Sequence, residues 1–334
     1  MRHISVYNKY WHYLQHYTSV KKVRNMALNV YEYRKKREVL KSKPFKITID
    51  PGSFCNLRCP GCHTGIKHPE MLQASFMKLD NYKVLFDKVS DYAISVALYN
   101  WGEPFLNKQI FDMIDYTRSK GAGTTLHSNF NVFNESMAEN AVRSGLTHIY
   151  MSIDGSTQEN YTKYRVRGDL NNVLEHLKIL IETKKRLRSA FPIITWKFLE
   201  FEHNKHELED ARALAKQYGV DAFEAFKAWP KLMDIKEEAL LYKSRPQTPL
   251  LDPCKSLWSS LYVNPEGLVL PCSLSFRQDE VFGNLMSDDL DGIINNKKFT
   301  AARAMFNGKL DAETIPEPCR SCKYFIHQQC QARN

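Results

Sequence analysis

Between residues 45 and 227 the spacing of apolar positions changes back and forth along the chain. Short runs at 45–49, 93–98, 124–127, 149–153, 193–198 and 222–226 are continuous or alternating in apolar residues and read as strands. The stretches at 82–90, 110–119, 135–144, 170–185 and 207–218 place apolar residues three and four apart, end near Gly, Asn or Pro, and read as helices. Six strand-led units of this kind predict an α/β fold, a parallel sheet with right-handed crossovers closed into a full or partial (β/α)6 TIM-like barrel. In such a barrel the chemistry sits at the C-terminal ends of the strands.

Two regions fall outside the alternation. Residues 1–44 form a basic, aromatic segment in which Val23, Met26, Ala27 and Val30 follow helical spacing toward Arg34-Lys35-Lys36-Arg37. Residues 228–334 hold short apolar pieces at 261–263 and 268–270, joined by the hairpin-like turn Asn264-Pro265-Glu266-Gly267, and several cysteines. That composition suggests a small irregular domain organised by a metal centre.

The 334 residues are 43% hydrophobic and 25% charged, the balance of an ordinary soluble globular protein with a core of useful size. Nowhere do eighteen apolar residues follow one another, and residues 1–19 lack the apolar core of a signal peptide, so a cytoplasmic protein is expected. The net charge of +10 is concentrated: residues 1–44 contain eleven Lys or Arg against two Glu, and the remainder is nearly neutral. A nucleic-acid partner is therefore not expected. The basic segment is either a solvated helix packed on the barrel or an anion-binding or membrane-surface element.

Eight cysteines divide into a tight group at 55, 59 and 62 and a C-terminal group at 254, 272, 319, 322 and 330. The string Cys55-Asn-Leu-Arg-Cys59-Pro-Gly-Cys62 follows the first strand and puts three thiolates in one loop. Three ligands leave one iron of a cubane open, whereas a structural zinc or an electron-transfer cluster takes four. A zinc knuckle completed by a distant Cys or by His63 is the other reading of the same residues.

The Cys-x3-Cys-x2-Cys loop after an opening strand resembles that of the radical S-adenosylmethionine (SAM) superfamily, and further segments in barrel order agree with it. Asn100-Trp-Gly102-Glu103-Pro104 after the second strand resembles the family's Gly-Gly-Glu-Pro element, which receives the SAM amino group, with Trp101 in place of one glycine. Ser128-Asn129 follows the third strand, where the family has a polar SAM contact. Ser152-Ile-Asp154-Gly155, with Tyr164-Arg165 downstream, resembles the ribose- and carboxylate-binding segment. Alone, each of these short strings also reads as a turn or a helix cap. Gly61 stands where the family often has an aromatic residue near adenine, so adenine contacts are expected from elsewhere, at 196–201. The resemblance implies a SAM-binding [4Fe–4S] cluster on Cys55, Cys59 and Cys62, reductive cleavage of SAM, and hydrogen abstraction from an unactivated substrate carbon.

Cys254 and Cys272, with Gly267 between them, and then Cys319-x2-Cys322, resemble the SPASM and twitch extensions of the same superfamily. A full SPASM domain uses seven cysteines for two clusters and only five are present, so one auxiliary [4Fe–4S] cluster on Cys254, Cys272, Cys319 and Cys322 is implied, as in twitch-type aminocyclitol dehydrogenase; a zinc ribbon is the alternative. Cys330 is then an alternative ligand, an inert buried thiol or a hydrogen-atom donor.

The expected reaction is oxidation or epimerisation of a carbinol carbon in a sugar, cyclitol or related metabolite. The alternative is a SPASM-type maturase that oxidises or crosslinks a peptide. A reductant such as flavodoxin or ferredoxin is expected as partner, and the basic N-terminus would suit a phosphorylated or carrier-linked substrate, or peripheral membrane contact. Tyr99, Trp101, His127, Lys197 and Glu224 lie near strand ends as candidate substrate contacts.

Overall fold

The computed structural model describes residues 13, 16–228, 253–307 and 313–322. Its frame is a nine-stranded sheet in the order β6-β5-β4-β3-β2-β1-β7-β8-β9. Strands β1 (Lys46–Ile49), β2 (Ser95–Ala97), β3 (Gly123–Ser128), β4 (His148–Ser152), β5 (Ile193–Glu200) and β6 (Ala222–Lys227) are parallel neighbours in chain order. Helices Leu79–Asp87, Ile110–Ser119, Glu135–Arg143, Leu170–Arg186 and Leu208–Tyr218 supply the crossovers. This is a partial (β/α)6 barrel.

The helices start where side chains can take over orphan backbone donors. Asn134 accepts from Met137 N and Asp169 from Asn172 N, caps that contribute about 1 kcal/mol each. Gly219, at φ +82°, ends the last crossover helix in the left-handed conformation that glycine tolerates best. Helix-facing strand residues such as Val96, Leu126, Ile149, Met151, Trp196 and Phe198 are completely buried. Each such side chain gains about 2–3 kcal/mol from burial, so this layer fixes strand register.

Register then decides which residues face the lumen, because neighbours along a strand point to opposite faces. Opposite the buried layer stand Tyr99, His127, Tyr150 and Lys197. His127 is paired with Tyr150 across β3 and β4, and Lys197 with Glu224 across β5 and β6. At the other end of the lumen, Tyr13 is 2% exposed and its hydroxyl meets Thr125 Oγ1 at 2.8 Å. A Cβ on Gly123 would overlap the Tyr13 ring, at 2.2 Å. Tyr13 thus stoppers the barrel at the end where strands begin.

Strands β7 (Ser260–Val263), β8 (Leu268–Leu270) and β9 (Gly283–Asn284) do not form a detached lobe. β7 lies parallel to β1, and β8 and β9 continue antiparallel, so the cysteine-bearing hairpin prolongs the barrel sheet. The turn at 264–267 closes the hairpin, with Gly267 at φ +87°.

The N-terminal helix, Val20–Arg34, is present but turned around. Its apolar residues Val23 and Val30 are exposed, while Lys22, Asn29 and Glu32 are buried. Among the described residues no helix is long and apolar enough to cross a membrane.

Candidate active site

The loop after β1 is folded by its own backbone and by two close glycine contacts. Arg58 donates Nη1 to the carbonyls of Cys55 and Leu57, at 2.9 and 2.7 Å, and its N–H bonds Val166 O at 3.0 Å. Gly61 sits at φ +76°, a turn conformation that an aromatic residue would adopt only with strain, which accounts for glycine at this position. A Cβ on Gly65 would lie 2.4 Å from Cys59 O, and one on Gly102 only 1.7 Å from Gly52 O. The loop after β2 therefore presses directly on the cysteine loop, and Glu103 N–H seals the contact by bonding Phe54 O at 2.8 Å.

Cys55, Cys59 and Cys62 all carry free thiols, and they pack with Leu57, Tyr164 and Phe201 in a small apolar cluster. Leu57 N–H points at Cys55 Sγ at 3.4 Å, Asn129 Nδ2 at the same sulfur at 3.7 Å, and Arg165 Nη1 at Cys59 Sγ at 3.9 Å. Burial pushes the Cys55 thiol up to about 12 and raises that of Cys59. Three thiols in one loop, with N–H donors aimed at Cys55 and a guanidinium at Cys59, are a donor set that suits an iron–sulfur cluster, whose sulfurs are held and tuned by such contacts.

Glu103 is 2% exposed, and both oxygens of its carboxylate accept hydrogen bonds while Oε2 keeps a free lone pair. Oε1 accepts from Ser128 Oγ at 2.7 Å and Phe105 N at 3.2 Å, and Oε2 from Asn129 N at 2.8 Å. Burial raises its pKa to about 7 although all three donors oppose the shift. Ser128 and Asn129 thus hold Glu103 in place, and Pro104 opens the short 3-10 turn that Glu103 caps. Across the mouth, Arg165 Nε bonds Asp154 Oδ2 at 2.6 Å, and Asp154 Oδ1 accepts from Leu199 N at 2.6 Å. Asp154 is 1% exposed, so it aims the guanidinium and leaves Arg165 to face the cysteines. Ser152 ends β4 on the lumen face.

Below this rim the lumen is aromatic. Tyr99 stacks on His127 at 3.9 Å, His127 lies 4.4 Å from Tyr150, and Lys197 Nζ sits 5.6 Å from the Tyr150 ring and 4.9 Å from that of Phe226. Burial lowers the Lys197 pKa, while Glu224 and Asp154 pull it back up. Tyr99, His127, Lys197 and Glu224 are therefore brought together. Trp101 is not: it packs toward the C-terminal hairpin, its Nε1 donating to Ser275 O at 3.1 Å and its ring 4.8 Å from His63 and 6.0 Å from Phe276. In the stretch 196–201, Trp196 is locked in the helix layer by a bond to Ile153 O, whereas Leu199 and Phe201 reach the cysteine loop. Asp50, Tyr13 and Tyr150 were not legible as site residues. Asp50 accepts from Gly52 N and Trp101 N at 3.3 Å, and is 3% exposed.

In the C-terminal region Cys254, Cys272, Cys319 and Cys322 are free thiols that lie within electrostatic reach of one another. Burial first, then the neighbouring thiolates, pushes Cys272 up to about 11 and raises Cys254 and Cys319. Four neighbouring thiolates would repel unless a cationic centre joined them, so this donor set also suits a cluster. Among the described residues no group of three or more His, Cys, Asp or Glu side chains is arranged to hold a metal ion. Cys330 lies outside the described residues.

Comparisons with known proteins extend over both regions. Relatives include a PqqA peptide cyclase of Gluconobacter oxydans, 22% identical over 316 residues that cover 85% of this chain and 84% of the relative. A Streptococcus suis SuiB structure bound to S-adenosylmethionine superposes with a TM-score of 0.64 at 14% identity, covering 96% of this chain and 83% of that one. BtrN in complex with AdoMet and 2-DOIA gives a TM-score of 0.50 at 17% identity, covering 78% and 86%. At these identities the two structures share the fold alone. The iron–sulfur cluster-binding SPASM family model matches residues 254–323. The radical SAM superfamily model matches residues 49–217, just over half of the chain, and the protein accordingly belongs to the radical SAM superfamily, whose members use SAM and a [4Fe–4S] cluster.

Proposed function

We propose that this radical SAM enzyme modifies a peptide, with Cys55, Cys59 and Cys62 holding the SAM-binding cluster and Cys254, Cys272, Cys319 and Cys322 a single auxiliary one. The observation that carries the reading is the match to PqqA peptide cyclases, which runs through barrel and cysteine-rich region alike and covers 84% of the relative. It favours the peptide over the carbinol carbon of a sugar or cyclitol that was the first expectation. Four neighbouring thiols supply a complete auxiliary ligand set, leaving Cys330 spare.

When bound, SAM and the cluster supply the radical chemistry that removes hydrogen from an unactivated C–H bond, with electrons from an external reductant such as flavodoxin or ferredoxin. The chain's residues do the rest. Glu103, fixed by Ser128 and Asn129 with Gly102 and Pro104 shaping its loop, receives an ammonium group. Arg165, aimed by Asp154, meets a carboxylate at the same rim, and Ser152 offers a hydroxyl beside it. The lumen below accepts one substrate side chain against Tyr99, His127 and Tyr150. Lys197 and Glu224 contribute a charge of each sign for orienting it, and Tyr13 excludes water from the far end.

The test is to incubate the reconstituted enzyme with SAM, a reductant and, separately, short peptides encoded beside its gene and polyol metabolites. Peptide-dependent 5′-deoxyadenosine release with loss of two hydrogens from the peptide is expected. Turnover with polyols and none with peptides would return the carbinol reading.

A further inference from the structure

The helix Val20–Arg34 breaks the usual rule for a surface helix. At 100° per residue, Val20, Val23, Ala27, Val30 and Tyr31 share one face, and that face looks outward. Val20 is 70% exposed, Tyr31 50% and Val23 45%. Together with Leu28, Val30 and Val39, this short region supplies six of the twelve large apolar side chains exposed among the described residues.

The orientation is enforced. The buried face is polar and every anchor is bonded: Lys22 Nζ to Gly121 O at 2.6 Å, Asn29 Nδ2 to Trp258 O at 2.7 Å, and the Glu32 carboxylate to Lys41 N, Ser42 N and Ser42 Oγ. Asn25 exchanges two bonds with the backbone of Lys43. Rotating the helix to hide its valines would strip partners from Lys22, Asn29 and Glu32, groups that are each costly to bury alone. The apolar stripe is therefore displayed rather than misplaced.

Charge identifies the occupant. Arg24, Arg34, Lys35, Lys36 and Arg37 are all exposed around the stripe, and the sole acid between Val20 and Arg37 is the buried Glu32. A second copy of this face would set basic against basic. A planar surface that is anionic outside and apolar beneath satisfies both features. Placement agrees, since the anchors Gly121, Ser42, Lys43 and Trp258 all precede strands. The helix thus lies at the end of the barrel opposite the cysteine loop, and docking there leaves the active-site mouth open.

We propose that Val20–Arg34 is an interfacial helix that seats the enzyme on an anionic lipid bilayer. This does not depend on the peptide reading. The experiment is co-sedimentation of the full chain with phosphatidylcholine vesicles, with and without phosphatidylglycerol, at low and high salt. Binding is expected only with phosphatidylglycerol and is expected to weaken with salt. Arg24→Gln with Arg34→Gln, and separately Val23→Ser with Tyr31→Ser, should each lower partitioning roughly tenfold or more. Val84→Ser, an equally exposed apolar residue elsewhere, should change nothing, and all variants should keep uncoupled SAM cleavage. No sedimentation with anionic vesicles, equal binding to neutral ones, variants that bind like the parent, or self-association abolished by Val23→Ser would each overturn the proposal.

Discussion

Trp101 donates its indole N–H to the backbone carbonyl of Ser275, whose hydroxyl lies 3.4 Å from Cys272 Sγ. One residue thus joins the loop that carries Glu103 to the hairpin that carries an auxiliary cysteine. His63 and Phe276, stacked at 3.7 Å, close the junction. Replacing Trp101 by Phe keeps the ring contacts and removes one hydrogen bond, a loss of about 1 kcal/mol. Trp101→Gly, which restores the superfamily glycine, removes the packing as well and is expected to cost about 3 kcal/mol. Hydrogen exchange of the 260–284 hairpin should rise for Gly far more than for Phe.

Gly102 tolerates no side chain because Gly52 O occupies the space. Gly102→Ala should displace Glu103 from Ser128 and Asn129 and weaken SAM binding at least tenfold in equilibrium dialysis, a loss of about 1.4 kcal/mol or more. Gly219→Ala is the control. Nothing lies within 4 Å of that Cβ, so only the positive φ is penalised, at about 1 kcal/mol, with SAM binding unchanged.

Removing the guanidinium of Arg165 leaves Asp154 charged and buried. Arg165→Met should lower apoprotein stability by about 3–5 kcal/mol in urea unfolding. Adding Asp154→Leu should recover part of this and not all, because Leu199 N then lacks its acceptor.

Asp50 gives the apoprotein a pH dependence of known sign. Burial raises its pKa from 3.8 to about 7, against the pull of two backbone N–H groups. Between those values the native state holds a proton that the unfolded chain has released, so stability falls as pH rises from about 4 to 7 and then levels. A tenfold difference in proton affinity between the two states corresponds to about 1.4 kcal/mol, so the decline amounts to a few kcal/mol. Glu103 is raised in the same direction and window, so Asp50→Asn should make that part of the curve shallower without abolishing it in denaturant titrations at pH 5 and 7. An unchanged slope would assign it to other groups.

The six barrel strands were readable because helix-facing residues such as Ile149 and Trp196 must be apolar, and that requirement leaves a period in the sequence. The cysteine, Glu103 and Arg165 segments were readable from order and spacing. The outward face of Val20–Arg34 was not, because burial there is set by hydrogen bonds from Lys22, Asn29 and Glu32 to distant backbone groups that leave no periodic signature. Tyr13 and Tyr150 escaped for a related reason. An aromatic residue in a segment or strand looks like packing until the fold shows that it plugs or lines the lumen. Trp101 stood out only as a departure from a family pattern, and its partner Ser275 could not be read from spacing.

The pairing of β1 with β7 sets an order of assembly. Lys46 is in register with Ser260, so the first strand acquires its second neighbour only after most of the chain has been synthesised. Until then β1, with the cysteine loop directly behind it, has one row of backbone donors and acceptors open to any passing strand. A nascent or truncated chain ending before Ser260 would keep its crossover helices and yet carry a bare sheet edge, a surface that recruits other chains unless a chaperone covers it.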